Sequence, residues 1–159
     1  MERPGPSDLL VEDIDDIGHA MLAVRESIQQ QNGKFDPIEF LRDNLESAHA
    51  VGAVTRKVLF GSGSETEVGP RIREERKVNL DVAYRLAAAI EELDYDYYQE
   101  GYAAFCTALQ GAEPELKRFA RKCIRMASMP TMGIKRESLK DFGFPGEATF
   151  SQLMTLLSP

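Results

Sequence analysis

Between positions 79 and 109 the chain carries more apolar and amphipathic surface than one helical stripe can hold. At about 100° per residue, Tyr84, Tyr95, Tyr98 and Tyr102 fall on nearly one side of a helix. Val82, Leu86, Ile90, Leu93 and Tyr97 project from roughly the other. All five tyrosines of the chain lie in this stretch. An ordinary surface helix buries a single face. A helix that needs cover on two sides is either the middle element of a bundle or one that meets a second molecule. Either way the chain is expected to fold around an unbroken central rod over 79–109, capped by Asn79 or Asp81 and ended by Gly111.

The flanking segments supply helices to surround it. Leu10, Ile14, Ile17, Met21, Val24 and Ile28 recur at alternating spacings of four and three, a narrow seam over a first helix at 8–31, capped by Ser7. Asn32-Gly33 stops it, since both tolerate left-handed backbone. Asp36 caps a second helix at 37–60, with Pro37 in its first position and Glu39 three residues on. Its inward face reads Ile38, Leu41, Leu45, Ala48, Gly52. So short a connection predicts an antiparallel hairpin of the first two helices. Pro114 opens a basic fourth helix at 113–128, with Leu116, Phe119, Ala120, Cys123 and Ile124 inward. Residues 129–159 read as an irregular tail with a helical turn at 137–142 and an amphipathic piece at 147–157. Phe150, Leu153, Met154 and Leu157 share one side of that piece. No run alternates as strands require. The fold class is therefore all-α, a helical bundle in one domain over 1–159.

Two breaks punctuate this plan. Residues 1–6, with two prolines and a glycine, form a loose leader. Residues 61–69, rich in Gly and Ser, form a flexible loop. The Gly-x-Gly within that loop follows a helix instead of a strand and lacks the Gly-Lys-Ser/Thr of a phosphate loop. Gly101, Phe105 and Ala108 have the intervals of the second helix of a tetratricopeptide repeat, but the preceding stretch lacks the matching pattern, so no repeat family is assigned.

Charge narrows the class of partner. The net charge is −7, unevenly placed. Residues 80–113 carry seven acids against Arg85, and residues 114–159 carry eight bases against four acids. The simplest use is internal, a basic helix folded back on an acidic one. The overall sign opposes long-range attraction to nucleic acid. No apolar run approaches the ~20 residues of a membrane span, and the first ten residues lack the apolar core of a secretory signal. A cytoplasmic or otherwise intracellular location is expected. Cys106 and Cys123 make neither a disulfide framework nor a zinc cluster and read as buried reduced thiols.

Candidate chemistry is sparse. Asp16-x-x-His19 and Glu46-x-x-His49 have the acid-to-histidine spacing of carboxylate-bridged di-iron bundles. However, at 100° per residue Asp16 and His19 point ~260° and ~200° from the seam residue Ile17, away from a core. No nucleophile elbow, Ser-x-x-Lys or His-Glu-x-x-His motif is present, so the reading is non-enzymatic and without a cofactor. Glu91, Glu92, Asp94, Asp96 and Glu100 read as a solvated acidic stripe. Lys117, Arg118, Arg121, Lys122 and Arg125 share one face of the fourth helix, where they can track phosphates or simply solvate that side. The tyrosine stripe of Tyr84, Tyr95, Tyr98 and Tyr102, continued by Leu109, is the best protein-contact candidate, since tyrosine buries an apolar body while keeping a hydroxyl for hydrogen bonding. Phe142, Phe144 and Phe150 are a second, as a tail that docks in a groove. The expected function is thus an assembly, adaptor or scaffold subunit, bound to a protein partner or to copies of itself. A nucleic-acid-associated subunit using the basic face is the first alternative, and a metal-dependent helical enzyme the second.

Overall fold

The computed structural model describes residues 5–61, 65–129, 134–143 and 145–159, apart from the side chains of 65–67 and 136. Within them every regular element is helical. The order is α1 Val11–Gln30, α2 Pro37–Phe60, α3 Glu65–Leu93, a 3-10 turn Asp96–Tyr98, α4 Gln99–Gln110, α5 Pro114–Ser128, a 3-10 helix Arg136–Phe142 and α6 Glu147–Leu156. None of these helices is long and apolar enough to cross a membrane.

Local chemistry sets most boundaries. α1 begins after the expected Ser7 cap, because the Leu10 N–H donates to Asp13 Oδ2 at 3.0 Å and closes the first turn from inside. It ends where expected: Asn32 and Gly33 take φ of 55° and 84°, and the Gly33 N–H reaches back to the Ile28 carbonyl at 2.8 Å. Asp36 caps α2 by accepting from the Ile38 and Glu39 N–H groups, satisfying two of the donors that a helix start leaves open.

α3 departs from expectation at both ends. It starts at Glu65, inside the stretch anticipated as a loop, and carries Pro70 in its body. Asn79 and Asp81 are therefore mid-helix residues and cap nothing. At the other end the anticipated rod is broken. α3 stops at Leu93, Tyr95 is extended at ψ 143°, and α4 begins only at Gln99. The reason is electrostatic and local. A continuous helix would stack Glu92 on Asp96 and Asp96 on Glu100, like charges four residues apart. Breaking it puts Asp96 in the first turn of the 3-10 segment and Glu100 in that of α4, where the partial positive charge of a helix start favours them.

α3 is nonetheless the centre of the molecule. Leu80, Val82, Ala83, Tyr84, Leu86 to Ile90 and Leu93 are all buried, so its second half is covered on every side. α1, α2 and α5 each pack chiefly against it, and α6 closes part of the remainder. Direct contact between α1 and α2 is slight, so the expected hairpin gives way to two helices sharing α3 as partner. Four small buried residues, Ala83 and the run Ala87 to Ala89, let these neighbours approach while burying apolar surface at roughly 25 cal/mol per Å². α5 buries the five residues assigned to its inner face, along with Ala127.

Polar groups stitch the outer helices to α3. Lys77 bridges Asp13 at 3.3 Å and Asp16 at 2.7 Å. Arg25 meets Glu91 at 3.6 Å, and Gln29 donates to the buried Glu92 at 2.9 Å. Two members of the acidic stripe thus face α1 instead of water. Thr55, also buried, donates to the Val51 carbonyl and lies 3.4 Å from that of Arg71.

Candidate functional site

The tyrosines divide into a buried set and an exposed set. Tyr84 is fully buried in the core. Its ring meets Phe150 of α6 edge-on, with centroids 5.4 Å apart, and its hydroxyl accepts from the Ile134 N–H at 3.4 Å. Burial holds its phenol above the usual tyrosine range. Leu109 and Phe150 are also core residues. These three cannot form an accessible contact face, because the C-terminal segment folds back on α3 and covers it. Tyr102 is half-buried and accepts a hydrogen bond from Gln152 of α6. Phe142 is half-buried too: it stacks edge-on with His19 at 5.0 Å and lies across Gly18. Phe144 is outside the described residues.

The exposed set sits at the break between α3 and α4. Tyr95 is 52% exposed and Tyr97 74%, although the helical wheel puts Tyr97 on the side of Val82, Leu86, Ile90 and Leu93, which are buried. Their rings are parallel within 3°, with centroids 5.8 Å apart, and Tyr98 meets Tyr97 edge-on at 4.6 Å. Tyr98 is anchored beneath, its ring against Gly33. Asp94, Asp96 and Glu100, which flank or interleave with these tyrosines in the chain, are exposed. Tyr97 and the three acids form a feature that the stripe analysis missed. The signal was the Asp-Tyr-Asp-Tyr-Tyr run itself, poor in helix propensity.

The knuckle is held by close backbone contact. A Cβ on Gly101 of α4 would lie 2.1 Å from the Gly33 carbonyl oxygen. Only glycine lets α4 approach the turn between α1 and α2 this closely.

The basic face of α5 takes no part in the expected pairing with the acidic stretch. Among the described residues, Lys117, Arg118, Arg121, Lys122 and Arg125 form no ion pair, and Arg121 donates to the Leu157 carbonyl at 3.3 Å. Glu113 is instead met by Arg42 of α2 at 3.1 Å, and Asp81 by Arg85 at 2.6 Å. α5 leans on α3 through its apolar side, and its cations point outward. Arg118 and Lys122 line a cleft of about 250 Å³ between α2, α3 and α5.

The proposed metal residues are not brought together. Asp16 is held by Lys77, which pulls its carboxyl below the usual range. His19 Nδ1 lies 2.7 Å from the Asp15 carbonyl and faces Phe142. Glu46 and His49 are exposed on α2, and His49 lines the cleft. No group of three or more His, Cys, Asp or Glu among the described residues has the arrangement of a metal site. Of the two thiols, Cys123 is fully buried and pushed up to about 12 by desolvation, while Cys106 is half-buried and raised for the same reason.

Comparison of the chain with protein-family models, with characterised proteins and with solved structures finds no significant match.

Proposed function

We propose that the protein is a non-catalytic assembly or adaptor subunit whose contact point is the tyrosine knuckle between α3 and α4, and that it holds a basic segment of a partner protein. The observation that carries this reading is the parallel, exposed Tyr95–Tyr97 pair on a segment that also exposes Asp94, Asp96 and Glu100. Exposed aromatic rings attract arginine and lysine through their faces, worth about 0.5–1 kcal/mol each at open sites. The carboxylates of this segment add electrostatic complementarity of the same sign. Tyr98 and Gly101 fix the cluster to the bundle, so its rings are presented in one arrangement and lose little freedom on binding.

The nucleic-acid reading has weaker support. The cations of α5 have no exposed aromatic among them, since Phe119 is buried, and single-strand binding draws on such stacking.

A fluorescent arginine- and lysine-rich peptide tests the proposal. It is expected to bind the native protein, to release as salt rises, and to be ignored when replaced by a glutamate-rich peptide. The Tyr95→Ser, Tyr97→Ser double variant should weaken binding about 5–30-fold, the ratio set by losing one or two kcal/mol. An unchanged affinity in that variant would remove the knuckle as the contact point.

A further inference from the structure

The cleft between α2, α3 and α5 has the makings of a ligand site independent of the knuckle. Its rim carries Arg56 and His49 from α2 and Arg118 and Lys122 from α5. Among the described residues none of these forms an ion pair, although acids stand nearby. Its deep wall is Asn79, only 2% exposed. The Asn79 Oδ1 accepts a long hydrogen bond from the Cys123 thiol at 3.9 Å, and the residue lines the cleft with its amide.

Gly52 opens the space in front of this wall. A Cβ there would stand 3.4 Å from Arg56 Nη1 and 3.6 Å from Glu75 Oε1, so the guanidinium and the carboxylate flank an unfilled gap. Phe119 gives the cleft one apolar surface. Glu75 and Glu115 supply acceptors beside the cations.

We infer that this cleft binds a compact, hydroxyl-bearing organic anion of sugar-phosphate type. Three permanent cations against two carboxylates favour an anionic group. The carboxylates are suited to accept hydrogen bonds from the several hydroxyls of a sugar. The Asn79 amide is placed to donate to the ligand, and Phe119 lies against the C–H face of the ring. The volume is near the lower end for small-molecule sites, which excludes a bulky ligand. This use also accounts for the outward cations of α5, which the fold does not neutralise.

Titration of the labelled full-length protein with ribose 5-phosphate, inorganic phosphate and ribose, followed by amide NMR, tests the inference. Ribose 5-phosphate should give saturable shifts at Gly52, Asn79 and Phe119. Inorganic phosphate should bind about tenfold more weakly, and ribose should leave the spectrum unchanged. The exposed double variant Arg118→Gln, Lys122→Gln should lose tenfold or more, about the worth of one charge-assisted hydrogen bond. Arg125→Gln, on the same helix but outside the cleft, should bind as the native protein does. Gly52→Ala, which narrows the cleft without a backbone clash, should also weaken binding. Three results would overturn the idea: no saturable shift with ribose 5-phosphate, equal affinity for inorganic phosphate (an adventitious ion only), or a response of α5 to a short oligonucleotide with the sugar phosphate silent.

Discussion

Cys123 shows how one side chain's environment becomes a property of the whole protein. Its thiol is buried against α3, and desolvation pushes it up to about 12 from the 9.0 of a free thiol. Between those values the unfolded chain has lost the proton and the folded one has kept it. The unfolded state then binds fewer protons, so stability falls as pH rises, by up to about 1.4 kcal/mol per pH unit. Tyr84, also raised by burial, adds a loss of the same sign above 10.0. Urea unfolding followed from neutral to alkaline pH should show this decline, and Cys123→Ala should flatten it. The same burial predicts the order of modification: a thiol reagent should label Cys106 first and reach Cys123 only on unfolding. Equal labelling of the two in the native protein would contradict the packing of α5 on α3.

Among the elements, the joint between α3 and α4 matters most, because it creates the exposed knuckle. Asp94, Asp96 and Glu100 favour ending one helix and starting another, and the Gly33–Gly101 approach fixes where the second helix goes. Gly101→Ala would raise local helix propensity by up to about 1 kcal/mol. Its methyl would nevertheless meet a backbone oxygen that cannot rotate away. A net loss of about 1–3 kcal/mol in unfolding free energy is expected, the usual range for overpacking. The Tyr97 ring should also become more mobile by NMR. A stabilised variant would mean that the turn after α1 yields easily. The helix starts and stops at Asn32, Gly33, Asp36 and Pro37 were legible in the sequence because their chemistry acts within a few residues. The joint was not, since its apolar spacing fits a continuous rod, and only charge repulsion and the weak helix propensity of the Asp-Tyr-Asp-Tyr-Tyr run argue otherwise.

For the whole molecule, α3 serves as the shared partner of α1, α2, α5 and α6. No outer helix has a core of its own apart from it. The bundle should therefore melt as a unit, with far-ultraviolet circular dichroism and tyrosine fluorescence giving coincident transitions. Phe150→Ala, which empties the site against Tyr84, should cost about 3–5 kcal/mol and move both transitions together. Separated midpoints would show that α6 is an independent appendage. The C-terminal segment also decides which tyrosines are available to a partner, because it withdraws Tyr84 and leaves Tyr95 and Tyr97 outside.

The chain's own order of residues determined the helical class, the inner faces of α1, α2, α5 and α6, and the need for a central helix covered on more than one side. These follow from periodicity and capping, which act over a turn or two of backbone. Tertiary structure decided which aromatic residues are hidden, that α1 and α2 meet α3 more than each other, and that Arg56, Asn79, Arg118 and Lys122 share one cleft. Those outcomes depend on contacts between residues dozens of positions apart, where a helical wheel gives direction around an axis but not the identity of the neighbour.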